Sequence, residues 1–300
     1  MNLPVLSTGV WAVVATPFTG STFDVDETSL SRLVEHFEQI GAAGLTVLGV
    51  FGEAARLSTQ ERRAVLETVV DTVALPLVVG ITSLATAPVI EEVRQAQDAV
   101  GGRLAGVMVQ VNTANPEVLR RHLQAVHEAT GAGIVVQDYP VASGVQISTP
   151  ALIEAIRPLG FVVAVKAEAP PTPVAIAALT AELDIPVFGG LGGMWLLDEL
   201  AAGAAGAMTG FSFPEGLIAT VQAWRAGGFD RARDVWSNYL PLVNFEQQAV
   251  VALAVRKECL RQRGLLLESG VRPPAAALPE SLTVQLKRHL GAVPLVGGGR

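Results

Sequence analysis

The 300-residue chain is 50% hydrophobic and only 16% charged, enough apolar material for a large core, and a single α/β barrel reaches this length. A net charge of −7 without any basic block, together with 5% aromatic residues, excludes a nucleic-acid partner, which needs clustered cations or stacking platforms. The lone Cys259 excludes an intrachain disulfide, and with only four histidines beside it a thiolate zinc cluster is excluded as well. A reducing, cytoplasmic setting is expected. Met1–Thr8 lacks the basic region and apolar core of a signal peptide. No uninterrupted apolar run approaches the roughly 18–20 residues of a membrane span, so no membrane partner is expected. High apolarity without a span predicts surface buried in an oligomer.

In chain order, Val10–Ala15 is an apolar run stopped by Thr16-Pro17, the first strand. Asp26 reads as the N-cap of a helix whose Leu30, Leu33, Val34 and Phe37 share one face. Leu45–Leu48 is the second strand, followed by the loop Gly49-Val-Phe-Gly-Glu53. Ser58-Thr-Gln-Glu61 is a capping box opening a helix to about Val73. Leu77–Val79 and Gly106–Val109 are strands three and four, separated by a helix from about Ala87 to Val100. Pro116 sits in the first turn of the next helix. Ile134–Asp138 is the fifth strand, and Thr149-Pro150 starts another helix. Phe161-Val-Val-Ala-Val-Lys166-Ala-Glu168 is the sixth strand, apolar until its C-terminal end. Thr172-Pro173 repeats the helix-start pair, Pro186–Phe188 is the seventh strand, and Gly206–Thr209 the eighth, after a helix from about Trp195 to Ala202. Eight strand–helix alternations with short connections predict a closed (β/α)₈ TIM barrel. From Ser212-Phe-Pro-Glu215, a second capping box, only helical patterns remain, at about 214–226, 230–240, 243–263 and 279–290. The predicted organisation is a barrel over 8–212, a C-terminal helical extension over 213–292 packed on it, and a flexible tail over 293–300.

Barrel chemistry is read at the C-terminal ends of the strands. Those ends carry Thr16, the Gly49–Glu53 loop, Gln110 and Asn112, Gln137, Asp138 and Tyr139, Lys166 and Glu168, the glycines Gly189–Gly193, and Thr209. Lys166 is the only cation among them. A lysine desolvated there can form a Schiff base with a carbonyl substrate, or stand in a structural ion pair. Glu168 lies two residues on, on the same side, as an acid/base group or the partner of that pair. His36, His122, His127 and His289 all fall in helices, and the carboxylates are too scattered for a magnesium site, so no metal and no cofactor is predicted. The glycines after the seventh strand can hold phosphate, or simply let backbone approach a neighbour.

Ala15-Thr-Pro-Phe18, the Gly-x-x-Gly-Glu loop at Gly49–Glu53 before Leu57–Glu61, and a lone lysine ending the sixth strand resemble the dihydrodipicolinate synthase / N-acetylneuraminate lyase family, over about residues 8–290. The resemblance implies a barrel that assembles as a homo-oligomer, dimer or tetramer. It also implies a lysine, here Lys166, that forms a Schiff base with pyruvate or a related 2-oxo acid. The substrate positions it implies are Thr16, Val50, Phe51, Gly190 and Thr209. Two threonines usual in the family's loop are Val50 and Phe51 here, leaving only backbone N–H groups for the oxo-acid carboxylate. The proline register puts Gln137 where the family has its proton-shuttling tyrosine, with Tyr139 two residues further on the same face. The synthases' arginine for the second substrate falls at Ala142, and a further tyrosine near Val111. An amide has no usable pKa for proton transfer, so Gln137 can hydrogen-bond substrate but not replace the phenol. The expected activity is therefore a class I aldolase or dehydratase, a carbon–carbon or carbon–oxygen lyase with Lys166, Glu168, Gln137 and Tyr139 as catalytic candidates, and not a true dihydrodipicolinate synthase. The rival readings are a catalytically silent small-molecule-binding barrel and a phosphate-binding barrel enzyme using Gly189–Gly193.

Overall fold

Short apolar strands buried on both faces suit a parallel sheet covered by helices. In a computed structural model, which describes residues 3–294, these are β1 (Gly9–Val13), β2 (Gly44–Val47), β3 (Leu77–Gly80), β4 (Leu104–Gln110), β5 (Ile134–Asp138), β6 (Val162–Ala167), β7 (Val187–Gly189) and β8 (Gly206–Thr209). They close in the order β1-β8-β7-β6-β5-β4-β3-β2, every pair parallel. Trp11, Val13, Val78, Met108, Val135 and Phe188 are among the side chains that fill the barrel. The interior is thus a packed core, and open space is left at its ends. The covering helices are α1 (Glu27–Gln39), α2 (Thr59–Thr72), α3 (Thr86–Val100), α4 (Pro116–Thr130), α5 (Thr149–Ile156), α6 (Thr172–Glu182) and α7 (Leu196–Ala201). Their apolar stripes pack on the strands, as Leu30, Leu33, Val34 and Phe37 of α1 do.

The expected caps divide. Asp26 accepts from the Ser29 amide at 2.9 Å, and the Ser58–Glu61 capping box is complete. The cap of α5 is Ser148, one residue before the expected Thr149. Thr172 lies inside α6, and its hydroxyl donates to Glu199 Oε1 at 2.6 Å instead of capping. The pattern Ser212–Glu215 is not a capping box: Ser212 donates to the buried Glu246, and Glu215 pairs with Arg263 at 2.5 Å. At Thr172 and Ser212 a tertiary carboxylate outcompetes the local backbone for the hydroxyl.

The C-terminal helices are α8 (Pro214–Trp236, broken at Gly227–Gly228), α9 (Leu240–Glu246), α10 (Ala252–Gln262) and α11 (Glu280–Ala292). The helix expected over 243–263 is therefore two. The chain is pinned between them, where Glu246 takes the Ser212 hydroxyl and the Gln247 side chain donates from Nε2 to the Leu191 carbonyl, and Val250 turns to φ 73°. Of the tail expected from residue 293, Val293 is buried, and residues 295–300 lie outside the described residues. Among the described residues no helix is long and apolar enough to cross a membrane.

Candidate active site

Strand parity decides which side chains enter the barrel mouth. On β6, Ala164 joins the interior layer while Val165 and Ala167 face the helices, so Lys166 points inward. Gln137 on β5 is its register partner. Both line a cavity of about 420 Å³ at the C-terminal end of the barrel, with Glu168, Tyr139, Val50, Phe51 and Thr209. Lys166 and Glu168 are 6% and 5% exposed, so their pairing is a buried one. Lys166 Nζ lies 3.1 Å from Glu168 Oε2. The same oxygen accepts from Gln137 Nε2 at 2.7 Å, while Oε1 accepts from the Leu191 amide at 3.2 Å. The carboxylate is thus held from two directions against the lysine, and Gln137 spends one of its two N–H groups on Glu168.

The β7 loop makes room for this arrangement. A Cβ on Gly190 would collide with Glu168 Oε1, so this position admits only glycine while Glu168 sits there. The phosphate reading of the loop loses three donors: the Leu191 amide serves Glu168, the Gly192 amide donates to Thr209 Oγ1 at 2.6 Å, and the Gly193 amide closes on the Gly190 carbonyl. Thr16 and Gly190 stand outside the cavity wall. The Thr16 hydroxyl donates to the Gly52 carbonyl at 2.6 Å and fastens the β2 loop. In that loop the Gly52 and Glu53 amides close the turn, and among the described residues no hydrogen bond occupies the Val50 or Phe51 amide. Ala142 lies in a one-turn helix, Pro140–Ser143, with no cation at its position.

Burial and the neighbouring Glu168 push the Asp138 carboxyl up to about 6, and its Oδ1 has no partner. The same two causes raise the Tyr139 phenol, opposed by Arg256. Lys166 is not the only cation in the cavity. Arg56 reaches it from the β2 loop, paired with Glu53 at 3.3 Å, and Arg256 reaches it from α10. Neither lies at a strand end, and for Arg256 the signal available in the sequence was only a basic residue in a C-terminal helix. Glu53 itself is turned away from the chemistry, 1% exposed, with Lys257 Nζ at 2.7 Å and the Arg272 amide at 2.9 Å. A larger opening of about 660 Å³ lies between α1, α8, α10 and α11, remote from the strand ends and without a lysine.

The model of the dihydrodipicolinate synthetase family matches residues 6–293. The chain is 30% identical to the L-2-keto-3-deoxyarabonate dehydratase of Azospirillum brasilense, over 93% of this chain and 92% of the relative. It is 31% identical to the 4-hydroxy-tetrahydrodipicolinate synthase of Methanothrix thermoacetophila, over 78% and 80%. The crystal structure of the dihydrodipicolinate synthase from Rhodopseudomonas palustris superposes with a TM-score of 0.89 at 30% identity, covering 97% of this chain and 99% of that one.

Proposed function

This chain belongs to the dihydrodipicolinate synthetase family of class I aldolase- and dehydratase-type lyases, and on that premise we propose that it cleaves a 2-oxo acid through a Schiff base on Lys166, without the synthase reaction. The observation that carries this reading is the buried Lys166–Glu168–Gln137 cluster on the cavity floor. Lys166 Nζ adds to the C2 carbonyl, giving a carbinolamine. Loss of water then gives the iminium. Electrons from the breaking C3–H or C3–C4 bond flow into the C=N, forming an enamine. Elimination of the C4 hydroxyl as water leaves an unsaturated iminium, whose hydrolysis frees Lys166 and completes a dehydration; in an aldol cleavage C4 leaves as an aldehyde, and protonation of the enamine at C3 and hydrolysis free pyruvate and Lys166. Glu168 is within ion-pair reach of Nζ and carries the protons of these steps, while Gln137 positions it. The C1 carboxylate has the free Val50 and Phe51 amides to receive it. A homo-oligomer, dimer or tetramer, acting in the cytoplasm belongs to the same proposal.

Val50, Phe51, Gln137 and Ala142 argue against the synthase. At these four positions the two hydroxyls, the relay phenol and the arginine for a second substrate are missing. A panel of 4-hydroxy-2-oxo acids, followed for released pyruvate and for lost water, tests the reading. Turnover of at least one member is expected, with none for pyruvate plus aspartate semialdehyde. Condensation of that last pair as the preferred reaction would overturn the exclusion of synthase activity.

A further inference from the structure

The cavity contains a guanidinium that the Schiff-base chemistry does not use. Arg256 extends from α10 into the barrel mouth with its side chain 11% exposed. Its Nε lies 3.4 Å from Oε2 of the fully buried Glu246, an ion pair without hydrogen-bond geometry. Its Cζ stands 5.5 Å from the centre of the Phe51 ring, and a Cβ on Gly192 would come within 2.9 Å of Nη2. Glu246 is in turn held by the Ser212 hydroxyl and amide. The charge is thus supported from behind, at Nε. Among the described residues no acceptor takes a hydrogen bond from Nη1 or Nη2. Arg56 differs: its Nη1 already serves Glu53. An arginine fork with both terminal nitrogens unspent on a cavity wall is matched to a planar anion, above all a carboxylate.

The end of the substrate it meets follows from connectivity. C1 is bonded to the carbon that Lys166 attacks, so its carboxylate stays beside Nζ and the β2 loop. Arg256 enters from α10 beside Glu246 and Gly192 and meets the ring of Phe51, not its amide, and so faces atoms further along the chain. Leu191, Gly192 and Gly193 carry no polar side chain, and Gln247 beside them already gives its Nε2 to the Leu191 carbonyl, so few donors are left there for a string of hydroxyls. Resting on the Schiff-base reading, we propose that Arg256 selects a 2-oxo acid bearing a second carboxylate at its far end, a 2-oxo dicarboxylate, with Glu246 as the positioning residue behind it.

The test compares two five-carbon probes, 2-oxoglutarate and 2-oxopentanoate, which differ in the distal carboxylate. Each is titrated against the enzyme in the presence of borohydride, and the adduct is read by intact mass. In the wild type, half-maximal capture of 2-oxoglutarate is expected at a concentration about tenfold lower, the scale of one charge-assisted pair. Arg256→Met is expected to abolish that preference and Arg256→Lys to keep part of it. The wild-type comparison stands whether or not the methionine variant folds. Equal or better capture of 2-oxopentanoate by the wild type overturns the proposal, as does a preference that survives Arg256→Met. An adduct with pyruvate but no diacid preference sinks this inference alone. No adduct with any oxo acid, pyruvate included, sinks the Schiff-base reading and this inference with it.

Discussion

Glu168 meets Lys166 and Gln137 through one oxygen and the Leu191 amide through the other. Proton transfer and lysine positioning therefore fall on the same carboxyl group, and substitution can separate them. Glu168→Gln keeps the shape but cannot carry a proton, so turnover is expected to fall by about 10²–10⁴-fold while borohydride capture of pyruvate falls far less. Steady-state rates and intact-mass capture on the same preparation check this; equal losses in both would assign Glu168 to holding the lysine only. Gly190→Ala acts from behind. Its methyl must displace the Glu168 carboxyl, so a loss of turnover on the order of 100-fold is expected, at a melting temperature close to wild type. An unimpaired Gly190→Ala variant would contradict the placement of Glu168.

The β2 loop and α10 are coupled by a buried ion pair. Lys257 Nζ is enclosed by Glu53 Oε1 at 2.7 Å, the Gly270 carbonyl at 2.7 Å and the Phe18 ring at 4.2 Å. Lys257→Met leaves the Glu53 carboxylate buried without its main partner, and is expected to cost about 3–5 kcal/mol in denaturant unfolding. The Glu53→Gln/Lys257→Met double variant is expected to lose less than the sum of the two single changes. Simple additivity would deny the coupling. At this scale the strands, their order and two of the caps were legible in the sequence, because a period of two or 3.6 and a Ser-x-x-Glu spacing are local signals. The lysine was legible too, as a charge ending an apolar run. Arg256 was not. Its helical spacing reads as part of one long helix over 243–263, and only the pinning of Glu246 and Gln247 to Ser212 and Leu191 breaks that helix above the cavity. The Ser212 and Thr172 caps failed for the same reason, since distant carboxylates claimed their hydroxyls.

Across the whole molecule, buried carboxyls set the pH dependence of stability. Glu199, 0% exposed, is pushed up to about 7 chiefly by burial, with the Thr172 hydroxyl opposing and Glu168 adding to the rise. Its unfolded value is about 4.5, so the folded chain holds a proton that the unfolded chain has released between those values. Stability is therefore lost as pH rises from about 4.5 through about 7, and Asp138, raised from 3.8 to about 6, acts in the same direction. Glu61 and Glu258 are lowered to about 2; the stability they give is complete above about 4.5 and disappears only as pH falls through about 2. They leave the neutral window to Glu199 and Asp138, joined by Glu246, which burial also raises, and opposed below pH 6.5 by His122, which burial lowers. The melting temperature is expected to fall between pH 5 and 8 in the wild type and to fall less in Glu199→Gln, which can still accept from Thr172. Identical slopes in both proteins would remove Glu199 as the cause.

Everything proposed about the reaction depends on a covalent bond between Lys166 and the substrate. The direct measurement is borohydride reduction in the presence of pyruvate, followed by intact-mass and peptide analysis of the wild type and of Lys166→Ala. One reduced pyruvate adduct per chain, located on the peptide containing Lys166 and missing from the variant, is the expected result. No adduct on the wild type, or the same adduct on Lys166→Ala, would contradict it.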